Sequence, residues 1–136
     1  MAEKSFYLEI ITPKRAVYKG EVVSFSAPGV VGGFQVLKNH AALLSSIKVG
    51  EVKLTDAAGK EFRFATSGGF VEVHDNTVVL LAETAERADE IDVERAKSSR
   101  ERAKKRLEEK QATLDAARAT LALQRAQNRL HIAELK

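Results

Sequence analysis

The chain has no cysteine. That excludes a disulfide framework, a thiolate zinc site and a cysteine nucleophile, and it is what a reducing compartment permits. No apolar run approaches the roughly 20 residues that a membrane-spanning helix needs, so membrane association is expected to come through a partner. The start, Met1-Ala2-Glu3-Lys4-Ser5, lacks the basic segment and apolar run of a secretory signal. The phosphate-loop pattern, the dinucleotide-binding glycine pattern and the serine nucleophile elbow are all missing. His40, His74 and His131 lie far apart, and none has a second histidine or a cysteine at metal spacing. An enzyme is therefore not expected.

Other absences are uneven along the chain. All eight glycines lie at or before Gly69, both prolines (Pro13 and Pro28) lie early, and every Phe and Tyr lies at or before Phe70. A single core would draw on both halves alike, so two architectures in series are expected: a β-domain over residues 1–88 and a helical part over 89–136. The net charge of +3 is too small to argue for nucleic acid. The basic second half has no aromatic ring to stack on bases, so no nucleic-acid partner is expected.

The first half reads as strands. Phe6 to Ile11, Glu21 to Ala27, Gly50 to Thr55, Glu61 to Ser67, Phe70 to His74 and Thr77 to Ala82 are short runs rich in Val, Phe, Ile and Thr. Their spacing suits a β-sandwich or barrel. Glu51-Val52-Lys53-Leu54 and Glu61-Phe62-Arg63-Phe64 alternate as strands with one wet face do. Asp56 to Lys60 reads as a hairpin loop with Gly59 free to take a positive φ, and Asp75-Asn76 as a tight turn. Thr77 to Leu81 is nearly all apolar, which predicts a strand covered on both faces. Glu83 and Glu86 flank the junction and are weak evidence of acid–base chemistry.

The second half reads as an antiparallel two-helix hairpin. Asp89 or Asp92 can cap the first helix. Val93, Ala96, Ala103 and Leu107 share one stripe, interrupted by Arg100. Ala116, Ala119, Leu123, Ala126, Leu130 and Ala133 recur at alternating three- and four-residue steps, a narrow seam for one neighbouring helix. Made mostly of alanine, that seam buries little area and should be weak. Glu108 to Gln111 holds no Gly or Pro, so nothing there forbids one continuous helix of roughly 65 Å. A hairpin that can open is expected, the other reading being a fixed hairpin whose bend is set by tertiary contacts.

Between Asp115 and Glu134 there is no acidic residue, and Arg118, Arg125 and Arg129 fall on one helical face. Arg102 also has no acid three or four residues away. Guanidinium groups brought together need an anion, and the planar fork suits phosphate. Two other readings stay open: solvated side chains, or arginines that wait for an acidic protein surface. Residues 87–136 carry 13 basic and 9 acidic side chains, so a basic arm follows a near-neutral domain.

Three stretches carry a family resemblance. They are Gly68-Gly69-Phe70-Val71-Glu72-Val73 with the strand Val78 to Ala82, the stretch Ile91-Asp92-Val93-Glu94-Arg95-Ala96, and Arg125-Ala126-Gln127-Asn128-Arg129-Leu130. In this order they resemble the epsilon subunit of bacterial F-type ATP synthases, the second stretch matching that family's I/L-D-x-x-R-A motif. The resemblance implies a non-catalytic rotor subunit at the cytoplasmic face of the cell membrane, peripheral to it. Its β-domain would join the gamma subunit to the c-ring. Its helices would extend toward the alpha and beta subunits of the catalytic head and restrain hydrolysis. It further implies no obligatory cofactor, but ATP, alone or with magnesium, as a regulatory ligand. Glu86, Ile91, Asp92, Arg95, Ala96, Arg102, Arg125 and Arg129 stand at the matching positions, the adenine toward Ile91 and Asp92 and the phosphates toward the arginines. Lys38 stands where the family often has proline, so a looser loop is expected around Leu37 to His40. The alternative is a stand-alone adaptor whose helices zip onto a coiled coil.

Overall fold

The computed structural model describes residues 4–108 and 113–134. Nine strands form one hydrogen-bonded sheet that folds over on itself. Strands β1 (Phe6–Ile11), β4 (Leu43–Ile47), β7 (Gly69–His74) and β8 (Thr77–Ala82) make one layer, with β1 parallel to β8. Strands β5 (Gly50–Asp56), β6 (Glu61–Thr66) and β9 (Ala85–Arg87) make the other. The link is β2 (Ala16–Ala27), which pairs with β1 along its first half and with β5 along its second. A register shift between Val22 and Ser24 marks the bend. Short β3 (Phe34–Val36) pairs with the end of β2.

Alternation decides which side chains meet inside. Leu8, Ile10, Phe25, Leu54, Phe64 and Leu80 are fully buried between the layers. On β5 and β6, Val52 faces Phe64 across the ladder, while Lys53, Arg63, Glu51 and Glu61 pair on the outer face. The hairpin loop after β5 closes with Gly59 at φ 89°, and Asp75 and Asn76 both take positive φ in the next turn. Gly69 begins β7 at φ 149°, where a Cβ would strike the Leu81 carbonyl oxygen. Its lack of a side chain is what lets β7 lie against β8.

Two expectations are corrected here. Strand β8 is covered on one face only, because Leu81 is 53% exposed beside its cross-strand partner Phe70, 55% exposed. The apolar run reflects an apolar outer face, not a second buried one. The loop over Leu37 to His40 is also held rather than loose. Asn76 Oδ1 accepts from the Asn39 N–H at 2.8 Å, and Asn76 Nδ2 donates to the Ser5 carbonyl at 3.1 Å. A tie to the neighbouring turn replaces the stiffness of proline.

A 3-10 turn (Ala88–Glu90) leads into α1 (Val93–Glu108), and α2 is Thr113–Glu134. The helices pack on one another and α2 packs on β5 and β6. Arg95 and Ala96 at the start of α1 share a cavity with Arg129 near the end of α2, so the helices run antiparallel. The expected break at Glu108 to Gln111 lies, beyond Glu108, outside the described residues, as does the side chain of Ala116. Of the rest of the seam, Ala119, Ala126, Leu130 and Ala133 are buried and Leu123 is half-buried; Ala96 and Ala103 of α1 are buried too.

Candidate functional site

The arm is folded down against the sandwich through a small apolar cluster. Ala65 of β6, Ala88 and Ile91 of the junction, and Ile132 and Ala133 of α2 are buried together. Ile132 is off the alanine seam and fully buried. Steps of four and three place it on the same face as Arg125 and Arg129. Thus α2 has two working faces, one toward α1 and one toward the β-domain. Asn128 on that second side donates from Nδ2 to the Gly50 carbonyl at 2.9 Å.

Where the arm meets the domain, a cavity of about 450 Å3 opens. That volume falls within the range of small-ligand sites, roughly 300–1,000 Å3. Glu83 to Glu86 form the wall on the β8–β9 side, and Asp92, Arg95, Ala96 and Arg129 form the wall on the arm. The third wall, absent from the sequence reading, is the β1–β2 turn from Thr12 to Arg15. Nothing in the linear pattern marks that turn, since it comes near the arm only through the sheet order.

Two acids in this cleft are already engaged. Asp92 Oδ1 accepts from the Arg95 N–H at 3.0 Å, which caps α1 at its third residue. Asp92→Ala should cost about 1 kcal/mol of local helix stability, read as faster amide exchange in the first turns of α1. Unchanged exchange there would show that the cap contributes nothing. Glu86 Oε1 is buried and lies 2.6 Å from Arg129 Nε. The approach is too oblique for an aligned hydrogen bond, so the contact is chiefly charge on charge.

The expected site residues do not all converge. Glu86, Asp92, Arg95, Ala96 and Arg129 line the one cavity. Ile91 sits beneath it, 6% exposed, in the apolar cluster. Arg125 lies one turn from Arg129 and lines a smaller adjoining cavity with Thr84 and Asn128. Arg102, two turns beyond Arg95, lies outside the cavity and donates to Ser99 Oγ at 3.2 Å. Arg118 is exposed and lines neither cavity. Among the described residues, Arg95, Arg102 and Arg125 have no ion-pair partner.

Comparison with known proteins covers both parts. Residues 5–88 match the β-sandwich domain of the ATP synthase delta/epsilon chain, and residues 89–134 match its long α-helix domain. The ATP synthase epsilon chain of Syntrophomonas wolfei is 46% identical over 101 residues, 74% of each chain. That of Pelotomaculum thermopropionicum is 47% identical over 100 residues, also 74% of each. In fold, the chain resembles one from the cryo-EM structure of the Euglena gracilis mitochondrial ATP synthase (OSCP, F1 and c-ring), with TM-score 0.82 over 97% of this chain and 82% of that one, at 20% identity. The chain therefore belongs to the ATP synthase delta/epsilon chain family, among the epsilon chains of F-type ATP synthases.

Proposed function

We propose that the chain is a non-catalytic rotor subunit of a proton-translocating F-type ATP synthase, and that its arm is a brake on ATP hydrolysis held closed by ATP. The cleft at the junction carries this reading, because its walls come from both the arm and the β-domain. A nucleotide lying there contacts both and favours the closed state over the open one, which is the condition for shifting the equilibrium. Adenine fits toward Ile91 and Asp92. The phosphates run along the arm, past Arg95 and Arg129 toward Arg102 and Arg125.

Without ATP, the arginines repel and the alanine seam offers little area to hold the helices together. The opened arm then reaches acidic surfaces of the alpha and beta subunits in the catalytic head. The uncovered apolar face fits a role in the stalk. Leu44, Phe70 and Leu81 are all more than half exposed on the layer opposite the arm. The Val30 N–H donates to the Ser46 carbonyl at 3.0 Å, which attaches the exposed Val30-Val31 pair beside that face. Such a patch suits the gamma subunit and the c-ring. The cryo-EM assembly from Euglena gracilis includes F1 and the c-ring. In this reading the subunit sits peripherally at the cytoplasmic face of the cell membrane; among the described residues no helix is long and apolar enough to cross it.

Calorimetry of the full chain with ATP, with and without magnesium, tests the site. Binding should be present, and Arg125→Ala with Arg129→Ala should weaken it by roughly 100-fold or more, given the strength of hydrogen bonds to charged groups. Absence of heat with millimolar ATP, or equal binding by the double variant, would remove the nucleotide claim. Assembly of the enzyme with a chain ending at residue 88 should raise ATP hydrolysis; an unchanged rate would count against a brake.

A further inference from the structure

The third wall of the cleft is basic and belongs to the β-domain. Lys14 and Arg15 form the tip of the β1–β2 turn and both line the cavity. Both side chains are exposed, and neither has an ion-pair partner among the described residues. Their backbone is nonetheless held firmly. The Thr12 N–H donates to the Arg15 carbonyl at 2.9 Å, Thr12 Oγ1 donates to the same carbonyl at 3.0 Å, and the Arg15 N–H donates to Thr12 Oγ1 at 3.3 Å. Pro13 fixes one further dihedral within the turn. The two cations are thus presented by a rigid hairpin, not by a loose loop.

Their place in the molecule gives them a distinct role. The cleft's other cations, Arg95 and Arg129, ride on the arm. The β-domain's acids in the cleft, Glu83 and Glu86, repel an anion. Lys14 and Arg15 are therefore the β-domain's only cations among the described lining residues. A phosphate chain bound by arm cations alone would draw α1 and α2 together, but it would bind a hairpin undocked from the β-domain as well as a docked one. Seating the hairpin on the β-domain requires attraction from the body that the arm leaves behind.

We propose that Lys14 and Arg15 are the β-domain's half of a polyphosphate clamp, and that they join the phosphates of the nucleotide to Arg95 and Arg129 across the cleft. Granting that the cleft takes a nucleotide, as proposed above, these two side chains convert nucleotide binding into closure of the arm. A triphosphate, with its greater charge and length, gains more from this clamp than a monophosphate.

The test uses the full-length chain and three probes: ATP, AMP and inorganic tripolyphosphate. Lys14→Ala with Arg15→Ala should weaken ATP and tripolyphosphate about 10- to 100-fold, and AMP much less. Lys14→Arg with Arg15→Lys, which keeps both charges, should restore most of the affinity. Amide exchange gives the second readout. At saturating ATP, protection around Ile132 should rise in the native chain and rise far less in the alanine variant, while the unliganded exchange of the two stays alike. Equal ATP affinity together with an equal rise in protection would overturn the clamp while leaving the nucleotide site intact. If the native chain binds neither ATP nor tripolyphosphate, the nucleotide site falls, and the clamp falls with it.

Discussion

Ile132→Ala should release the helical arm while the β-sandwich stays folded. Ile132 is fully buried in a cluster with Ala65, Ala88, Ile91 and Ala133, and the three alanines are too small to close the space it would leave. Truncating a buried isoleucine costs about 2–4 kcal/mol, the transfer term plus the cavity. Here the loss falls on docking, which shifts the closed-to-open ratio by roughly 30- to 900-fold. Amide exchange reads it directly. Protection should fall along the second half of α2 and at Ala65, and should hold at Leu8, Leu54 and Leu80 in the sandwich core. Equal protection of α2 in both chains would mean that the remaining contacts, Asn128 to Gly50 and Arg129 to Glu86, suffice to seat the arm.

Gly69→Ala should be the most damaging single change in the β-domain outside its core. The backbone there has φ 149°, and an added Cβ meets the Leu81 carbonyl oxygen and the Ala82 Cα, both backbone atoms. Neither can turn aside as a side chain would. Strained backbone and overpacking each cost roughly 1–3 kcal/mol, so together about 3 kcal/mol or more is expected. For a domain of this size that is roughly 12 °C or more in Tm, given about 4–8 °C per kcal/mol. Phe70→Ala, one residue on, should shift Tm little, since that ring is more than half exposed. A Gly69→Ala chain that melts within a degree or two of the native one would show that β7 and β8 can separate without loss.

Most of the sandwich was legible because its signals are local. Gly59 and the Asp75-Asn76 pair mark turns by the dihedrals they tolerate, and the alternation around Val52 and Phe64 gives the buried face. Strands β3, β4 and β9 were missed for one shared reason: their strand character comes from a partner. Ala85-Glu86-Arg87 has no β-branched residue and is extended because Phe64, Ala65 and Thr66 pair with it. Leu43 to Ile47 likewise lies flat against β7.

The arm divides the same way. Its seam toward α1 was readable from spacing within one helix. Ile132 was not, because its partners lie on β6 and at the junction. Among the site residues, Asp92 and Arg95 are close in the chain, and the cap between them follows from that. Arg129 reaches Glu86 across 43 positions, and Lys14 and Arg15 reach the cleft only through the order of strands. Contacts of that range are written in topology, not in local pattern. Arg102, by contrast, is set two turns beyond Arg95 by its seven-residue spacing on α1 and lies outside the cavity.

Strand β2 has a mechanical consequence. Two layers held by side-chain packing alone could slide past each other under a sideways load, because such packing has no preferred direction in its plane. Here one unbroken run of 12 residues is laced into both layers. A twisting force applied at the Phe70 face is passed along covalent bonds and ladder hydrogen bonds to the β5–β6 side, and shear would first have to tear that strand from its neighbours. The sandwich is built as a stiff washer, and whatever turns one side of it turns the other.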